Sequence, residues 1–306
     1  MNNKDLVSRF IRVHHLEKNL SVRSSKAYES DLNDFVKFLG RKELRSTTQD
    51  TIRDYLDSLD RRNLASTTKK RRLATLKIFA EFLVEEEVVE DSPLRKMSRG
   101  YKIPKRVPRT IPSTDLMSLL RAASSKIRRS GPRNSARYYR ALRDKLIVEI
   151  LLCTGIRVDE LVRLDVTDFD LVDGGFVVHG KGSKERSLCI SPKEVISQLR
   201  TYLRVRASFS PSSKALLLNR FWRRLSVQSI GPIFGQLCIL ASLERHYTPH
   251  SLRHTLATSL IENGADVRSV QEILGHSSIS TTQIYLEVSR KRKQEVLARF
   301  NPRNHL

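Results

Sequence analysis

The 306-residue chain has little cysteine, and none of it is paired in sequence. Its three cysteines, Cys153, Cys189 and Cys238, are scattered, and none belongs to a CxxC pair. This pattern supports neither a disulfide framework nor a zinc ribbon, and it fits a reducing compartment.

Long apolar runs are also lacking. A membrane-spanning helix needs about 18 or more consecutive apolar residues, and the best stretch, Leu146 to Cys153, is short and contains Glu149. Residues 1–15 carry four charged side chains and no apolar segment of the kind found in signal peptides. We therefore expect a cytoplasmic protein with no membrane partner.

Acidic residues are few relative to basic ones. The chain has 56 Lys and Arg but only 33 Asp and Glu, which gives a formal net charge of +23. Such an excess predicts a polyanionic partner, with nucleic acid ahead of an anionic membrane surface.

The sequence pattern divides the chain into two domains and a linker. Residues 1–95 show helical periodicity and no strand pattern. Residues 96–112 are basic and interrupted by prolines, which predicts a linker lying along the polyanion. Residues 113–306 form the second domain, with helices predicted from about 114–127 and 140–153 onward and a basic loop between these two.

The second domain also contains the one convincing strand signal. Short strands are predicted at 166–171, 175–179 and 186–190, and Gly180–Lys184 forms a tight turn between the last two. The expected fold class is therefore mainly α with a small antiparallel β-sheet (α+β).

Two segments place a cation at a turn. In Cys153–Leu161, Arg157 stands near a helix N-terminus, where backbone amides also favour an anion. In the turn Gly180–Lys184, Lys181 lies between two glycines, but the segment is not a Walker A loop because it precedes a strand. Taken alone, each segment favours the plainer interpretation: Arg157 paired with Asp159 or Glu160, and Lys181 as an ordinary solvated lysine.

The segment Thr248–Leu256 begins a helix that places His250, Arg253 and His254 on one face. A metal site with His246 is disfavoured, because Pro249 separates it from the helix and Arg253 would put a cation beside the metal. A phosphate suits an arginine and a histidine together.

The segment Leu274–Tyr285 places His276 after a glycine turn and Tyr285 nine residues later. A packing role is the plain alternative for Tyr285. Together with the other segments, however, this set can hold a phosphodiester without a metal and attack it through a tyrosine. In that chemistry His250 accepts the tyrosine proton and Lys181 protonates the departing 5′ oxygen.

The order Arg157, Lys181, His250-x-x-Arg253, His276, Tyr285 resembles the tyrosine recombinase (phage-integrase-like) family, and looks closest to its Xer type. The surrounding strings match too, notably Gly-Lys-Gly-x-Lys-Glu-Arg and Thr-Pro-His-x-Leu-Arg-His. The resemblance implies a two-domain DNA clamp, with a helical SAM-like core-binding domain and a catalytic domain. The implied catalytic residues are Arg157, Lys181, His250, Arg253, His276 and the nucleophile Tyr285, with Glu160 supporting the first arginine.

The resemblance further implies cutting, exchange and rejoining of DNA at a specific site through a 3′-phosphotyrosyl intermediate, without metal, ATP or another cofactor. Double-stranded DNA is the expected partner of a homo-tetramer on two duplexes, or of a hetero-tetramer with a related recombinase. The tail at 289–300 is expected to contact a neighbouring protomer, and folding back on its own domain is the alternative. The enzyme is expected to work at the nucleoid. Candidate DNA contacts are Lys69, Lys70, Arg71, Arg72, Lys102, Lys105, Arg106 and Lys184.

Leu286-Glu287 and the length of the basic loop depart from the usual Xer pattern. The sequence therefore leaves open whether the role is chromosome-dimer resolution or recombination of a transposon, plasmid or phage. It also leaves three rival functions: a type IB topoisomerase or telomere resolvase, a DNA-binding protein without catalysis, and a membrane or RNA binder explained by charge alone.

Overall fold

The computed structural model of the chain describes residues 2–17, 22–95, 110–180 and 185–275. Backbone contacts divide the chain into two compact units, Met1–Lys105 and Arg106–Leu306. The linker expected at 96–112 lies mostly outside the described residues, so its limits stay a prediction. No helix within the described ranges is long and apolar enough to cross a membrane.

The secondary structure of the first unit is helical, with turns between the helices and no strand in its described part. Its elements are α1 (Asn3–Glu17), α2 (Val22–Leu39), a short 3₁₀ turn (Leu44–Ser46), α3 (Gln49–Arg61) and α4 (Ser66–Glu85). The apolar stripes of these helices meet in one core. Phe10 is fully buried there, with its ring centroid 5.1 Å from that of Phe79 and 5.3 Å from that of Phe82.

The second unit is built around one long buried helix. Its elements are α5 (Ser113–Arg128), α6 (Ala136–Thr154), α7 (Val158–Arg163), a 3₁₀ turn (Val166–Asp168), β1 (Gly175–His179), β2 (Glu185–Cys189), α8 (Lys193–Ala207), α9 (Val227–Leu240), α10 (Pro249–Glu262) and α11 (Val267–Leu274). Helix α6 is buried along most of its length and packs against α5, α8 and α10. The end of α6 is thereby fixed in the middle of the unit.

Helix α6 begins earlier than the sequence predicts. We expected a loop through residue 139, but the side chain of Ser135 accepts a hydrogen bond from the amide of Tyr138 at 3.1 Å and caps the helix. The side chain of Tyr139 is buried and its hydroxyl lies 2.8 Å from that of Tyr202. Burial of this tyrosine holds the first turn in place, and the basic loop is correspondingly shorter.

The sheet has two antiparallel strands within the described residues. Gly175 pairs with Cys189 and His179 with Glu185, so the two predicted strands do pair with each other. The turn predicted at Gly180–Lys184 lies mostly outside the described residues and stays a prediction. The prediction of a strand at 166–171 is wrong. The side chain of Asp168 accepts a hydrogen bond from the amide of Asp165 at 2.8 Å, which closes a 3₁₀ turn there instead. The α+β fold class is confirmed.

Replacing Phe10 with alanine tests the aromatic core of the first unit. The Phe10→Ala change leaves a cavity among Phe79 and Phe82, so the free energy of unfolding of this unit should fall by about 3–5 kcal/mol. Urea denaturation of the full-length chain, followed by circular dichroism, measures the loss. Leu16→Ala on the same helix is the control, because Leu16 is 71% exposed, and an equal loss in both variants would contradict this account.

Candidate active site

Helix α10 carries Arg253, an arginine whose side chain is buried within the second unit. Thr248 and Pro249 start the helix, in agreement with the sequence. One turn later the guanidinium of Arg253, which is 6% exposed, donates to the carbonyl oxygen of Gly155 and, at 2.6 Å, to that of Leu274. Arg253 thus joins the ends of α6 and α11.

Gly155 is required at the end of α6. Its φ is +62°, the left-handed region that favours glycine, and a Cβ there would stand 2.8 Å from Cδ2 of Leu274. With glycine, the chain turns and its carbonyl oxygen faces the guanidinium of Arg253. The turn also brings Arg157 to the start of α7.

Arg157 is the second arginine at the junction between the ends of α6 and α11. Its guanidinium donates to the carbonyl oxygen of Gly275 at 2.6 Å and to the carboxylate of Glu160 at 2.8 Å. The side chain remains 35% exposed. Arg157 and Arg253 therefore lie at the same junction, the first accessible and the second enclosed.

Glu160 is a buried carboxylate that accepts four hydrogen bonds from the described residues. Its oxygens accept from the backbone amide and guanidinium of Arg157 and from two nitrogens of Arg186, all at 2.8–2.9 Å. Burial by itself would raise the pKa of Glu160, but the hydrogen bonds and charges of Arg186 and Arg157 lower it to about 2. The carboxylate is therefore ionised under all ordinary conditions.

Two histidines lie on α10 beside Arg253. His250 is exposed in the first turn, and His254 is half-buried. The pKa of His254 is lowered by burial, and further by the charges of His250 and Arg253. Among the described residues no group of three or more His, Cys, Asp or Glu side chains could hold a metal ion. The described cluster is instead suited to an anion.

Arg186 is the residue of this cluster that we did not single out from the sequence. It is the last residue of the string Gly-Lys-Gly-x-Lys-Glu-Arg, and two of its guanidinium nitrogens bind the carboxylate of Glu160. In the predicted strand Arg186 shares a face with the apolar Leu188 and Ile190, which are buried. This inward position was the signal in the sequence that could have singled it out. The pairing with Glu160 depends on the tertiary fold.

Other predicted site residues lie outside the described residues. They are Lys102, Lys105, Arg106, Lys181, Lys184, His276 and Tyr285. The protomer-contact tail at 289–300 also lies outside them.

The basic start of α4 is partly neutralised within the first unit. The ammonium of Lys69 lies 2.6 Å from Asp60, and Arg72, whose side chain is 12% exposed, pairs with Asp34. Arg71 pairs with Asp31 but keeps 46% of its side chain exposed, and Lys70 is exposed. DNA contact by these four residues stays a prediction, and the exposed charge favours Lys70 and Arg71.

Removal of the Glu160 charge should change the acid stability of the protein. A carboxylate whose folded pKa of about 2 lies below its ordinary 4.5 stabilises the fold above pH 4.5 and loses this effect as the pH falls toward 2. The difference between these two pKa values corresponds to about 3 kcal/mol in the free energy of unfolding.

Urea denaturation between pH 6 and pH 3 measures this effect. Glu160→Gln should be less stable than the wild type at pH 6, and the gap should narrow steadily toward pH 3. Glu185→Gln is the control at an exposed carboxylate of β2. Stability curves for Glu160→Gln and wild type that stay parallel over this range would contradict the account.

Models of two known domain families match the two units of the chain. Residues 133–292 match the model of the phage integrase family, and residues 7–87 match that of the phage integrase N-terminal SAM-like domain. A tyrosine recombinase XerC of Listeria monocytogenes serotype 4b is 34% identical over 307 residues, which cover 97% of this chain and 98% of the relative. A tyrosine recombinase XerD of Halalkalibacterium halodurans is 33% identical over 304 residues, covering 97% of each chain.

A solved structure shares the fold. The XerH site-specific recombinase bound to palindromic difH substrate, in its post-cleavage complex, superposes with a TM-score of 0.73 at 22% identity. The match covers 96% of this chain and 84% of that one. The resemblance drawn from the sequence is confirmed over nearly the whole length, and the chain belongs to the phage integrase family of tyrosine recombinases.

Proposed function

We propose that the chain is a site-specific recombinase that cuts, exchanges and rejoins strands of duplex DNA through a covalent 3′-phosphotyrosyl intermediate. The observation that carries the proposal is the convergence of Arg157, Glu160 and Arg253 at one junction of a chain whose relatives are tyrosine recombinases. Those relatives match both units, so we retain this single function.

The two arginines bind the scissile phosphate and stabilise its transition state. As the tyrosine oxygen attacks, negative charge develops on the non-bridging oxygens, and fixed cations stabilise it most effectively because they need no reorganisation. Arg253 is fixed by two carbonyl oxygens and Arg157 by one carbonyl oxygen and a carboxylate. His276 adds a further donor to the phosphate.

The remaining groups move protons. Tyr285 attacks phosphorus, and the exposed His250 accepts its proton, since an imidazole titrates near neutral pH. The bond from phosphorus to the 5′ oxygen breaks, and Lys181 protonates that oxygen. The phosphotyrosine keeps the energy of the cleaved bond, so rejoining needs no ATP, metal ion or other cofactor.

Duplex DNA is the partner, and its phosphates meet the basic charge of the chain. Contacts would come from Lys70 and Arg71 in the first unit, from Lys184, and from the linker residues Lys102, Lys105 and Arg106. Strand exchange requires two duplexes, which implies four protomers, either of this chain or shared with a related recombinase. The enzyme would act in the cytoplasm at the nucleoid, on chromosomal or mobile-element DNA.

Trapping the covalent intermediate tests the proposal. The protein is incubated with fragmented genomic DNA of its source organism, denatured, and the protein-linked ends are recovered and sequenced. Wild type should give adducts at one recurrent sequence, with tyrosine attached to a 3′ phosphate. Tyr285→Phe should give none while its affinity for that sequence stays within about twofold. Adducts in the Phe variant would show that Tyr285 is not the nucleophile.

Lys181→Ala tests the assignment of the general acid. A 5′-bridging phosphorothiolate leaves without protonation, because a thiolate is a far weaker base than an alkoxide. The variant should cleave the recovered site at least about 100-fold more slowly than wild type, yet cleave the sulfur-substituted duplex at close to the wild-type rate. Equal defects on both duplexes would instead make Lys181 a phosphate contact.

A further inference from the structure

Arg186 holds together two segments that each lead to a proposed catalytic residue. On one side its Nη1 and Nη2 atoms bind the two carboxylate oxygens of Glu160 at 2.9 and 2.8 Å. On the other its Nε donates to the carbonyl oxygen of Ile273 at 3.3 Å, at the end of α11. The side chain is 15% exposed, so this fork is largely enclosed.

The end of α11 packs directly on this guanidinium. Gly275 has φ +64°, and a Cβ on it would lie 3.0 Å from Cζ of Arg186. The carbonyl oxygen of the same glycine accepts the hydrogen bond from Arg157. Arg186 therefore fixes both acceptors of Arg157: the carboxylate of Glu160 directly, and the carbonyl of Gly275 through packing.

Charge gives a second reason for this arrangement. Glu160 carries one negative charge, and Arg157 and Arg186 each carry one positive charge. With Arg186 in place, its positive charge balances the negative charge of Glu160, and the charge of Arg157 is not needed for this. Without Arg186, Arg157 would be the one cation left on this carboxylate among the described residues. The positive potential that Arg157 offers to a phosphate would then be weaker.

We infer that Arg186 is a positioning residue for the cleavage step: it holds Glu160 and the end of α11 so that the guanidinium of Arg157 is fixed and its charge stays available to the scissile phosphate. This inference rests on the proposed function. It assigns Arg186 no contact with DNA.

Single-turnover cleavage at saturating protein tests the inference, with a duplex that carries the recovered site. Arg186→Gln should form the covalent complex at least about 100-fold more slowly, the order expected for a misplaced transition-state donor. Its dissociation constant for the duplex should stay within about threefold. Arg186→Lys should remain at least about tenfold slow, because an ammonium cannot replace the planar fork. Full activity of the Lys variant, or loss of binding in the Gln variant, would overturn the inference.

Two further measurements identify the route of the effect. If Arg186 acts through Glu160, the defects of Arg186→Gln and Glu160→Gln do not multiply in the double variant. The bridging phosphorothiolate, which relieves a general-acid defect, should not rescue Arg186→Gln. Multiplying defects, or rescue by sulfur, would show that Arg186 acts elsewhere.

Arg224→Gln is the matched control. Arg224 also binds a carboxylate, that of Asp165, together with backbone carbonyl oxygens at the other end of α7. Its loss should leave cleavage within about twofold of wild type. If Arg224→Gln slowed cleavage as much as Arg186→Gln, a general loosening of α7 would explain the defects of both variants.

Urea denaturation without DNA separates this inference from the proposed function. The midpoint shifts of Arg186→Gln and Glu160→Gln should be strongly non-additive in the double variant, whether or not the protein recombines DNA. Additive shifts would overturn the Arg186–Glu160 linkage. A wild-type protein that forms no covalent adduct would count against the proposed function alone.

Discussion

The buried guanidinium of Arg253 is the constraint on which the second unit depends. A guanidinium enclosed by protein must find acceptors, because an unpaired buried charge costs several kcal/mol. Here the acceptors are backbone carbonyl oxygens at the ends of α6 and α11, at Gly155 and Leu274. Two helix ends that are far apart in sequence are therefore held together. Arg157 lies beside them, because α7 begins directly after it.

Glycines make this junction possible. Gly155 and Gly275 both adopt positive φ, and a side chain on either would meet Leu274 or Arg186 at 3.0 Å or less. Each helix can therefore end abruptly, with its last carbonyl oxygens turned toward an arginine rather than toward water. The helix ends supply acceptors, the arginines supply the charge, and Glu160 ties them to the sheet through Arg186.

The basic side chains of the chain are not equally available for contact with a partner. At the start of α4, carboxylates of the first unit compensate Lys69 and Arg72, whereas Lys70 and Arg71 keep exposed charge. In the second unit Arg157 and Arg186 bind one carboxylate, that of Glu160, and Arg253 lies at the same junction. The described part of this junction therefore has more basic than acidic side chains. Net charge thus predicts the kind of partner, and the local pairing of charges decides which residues remain available to it.

The sequence by itself determined the family, the helical character of both units and the two strands that pair, because helical periodicity, strand pattern and motif order can be read along the chain. It also singled out Arg157 and Arg253, which the structure brings to one junction. It misplaced the start of α6 and the first strand, where burial of Tyr139 and a turn at Asp165–Asp168 outweigh the local pattern. Only the tertiary structure revealed that Arg186 binds the carboxylate beside Arg157. Its partners, Glu160 and Ile273, are 26 and 87 residues away, and hydrogen bonds over such separations leave no periodicity in the sequence.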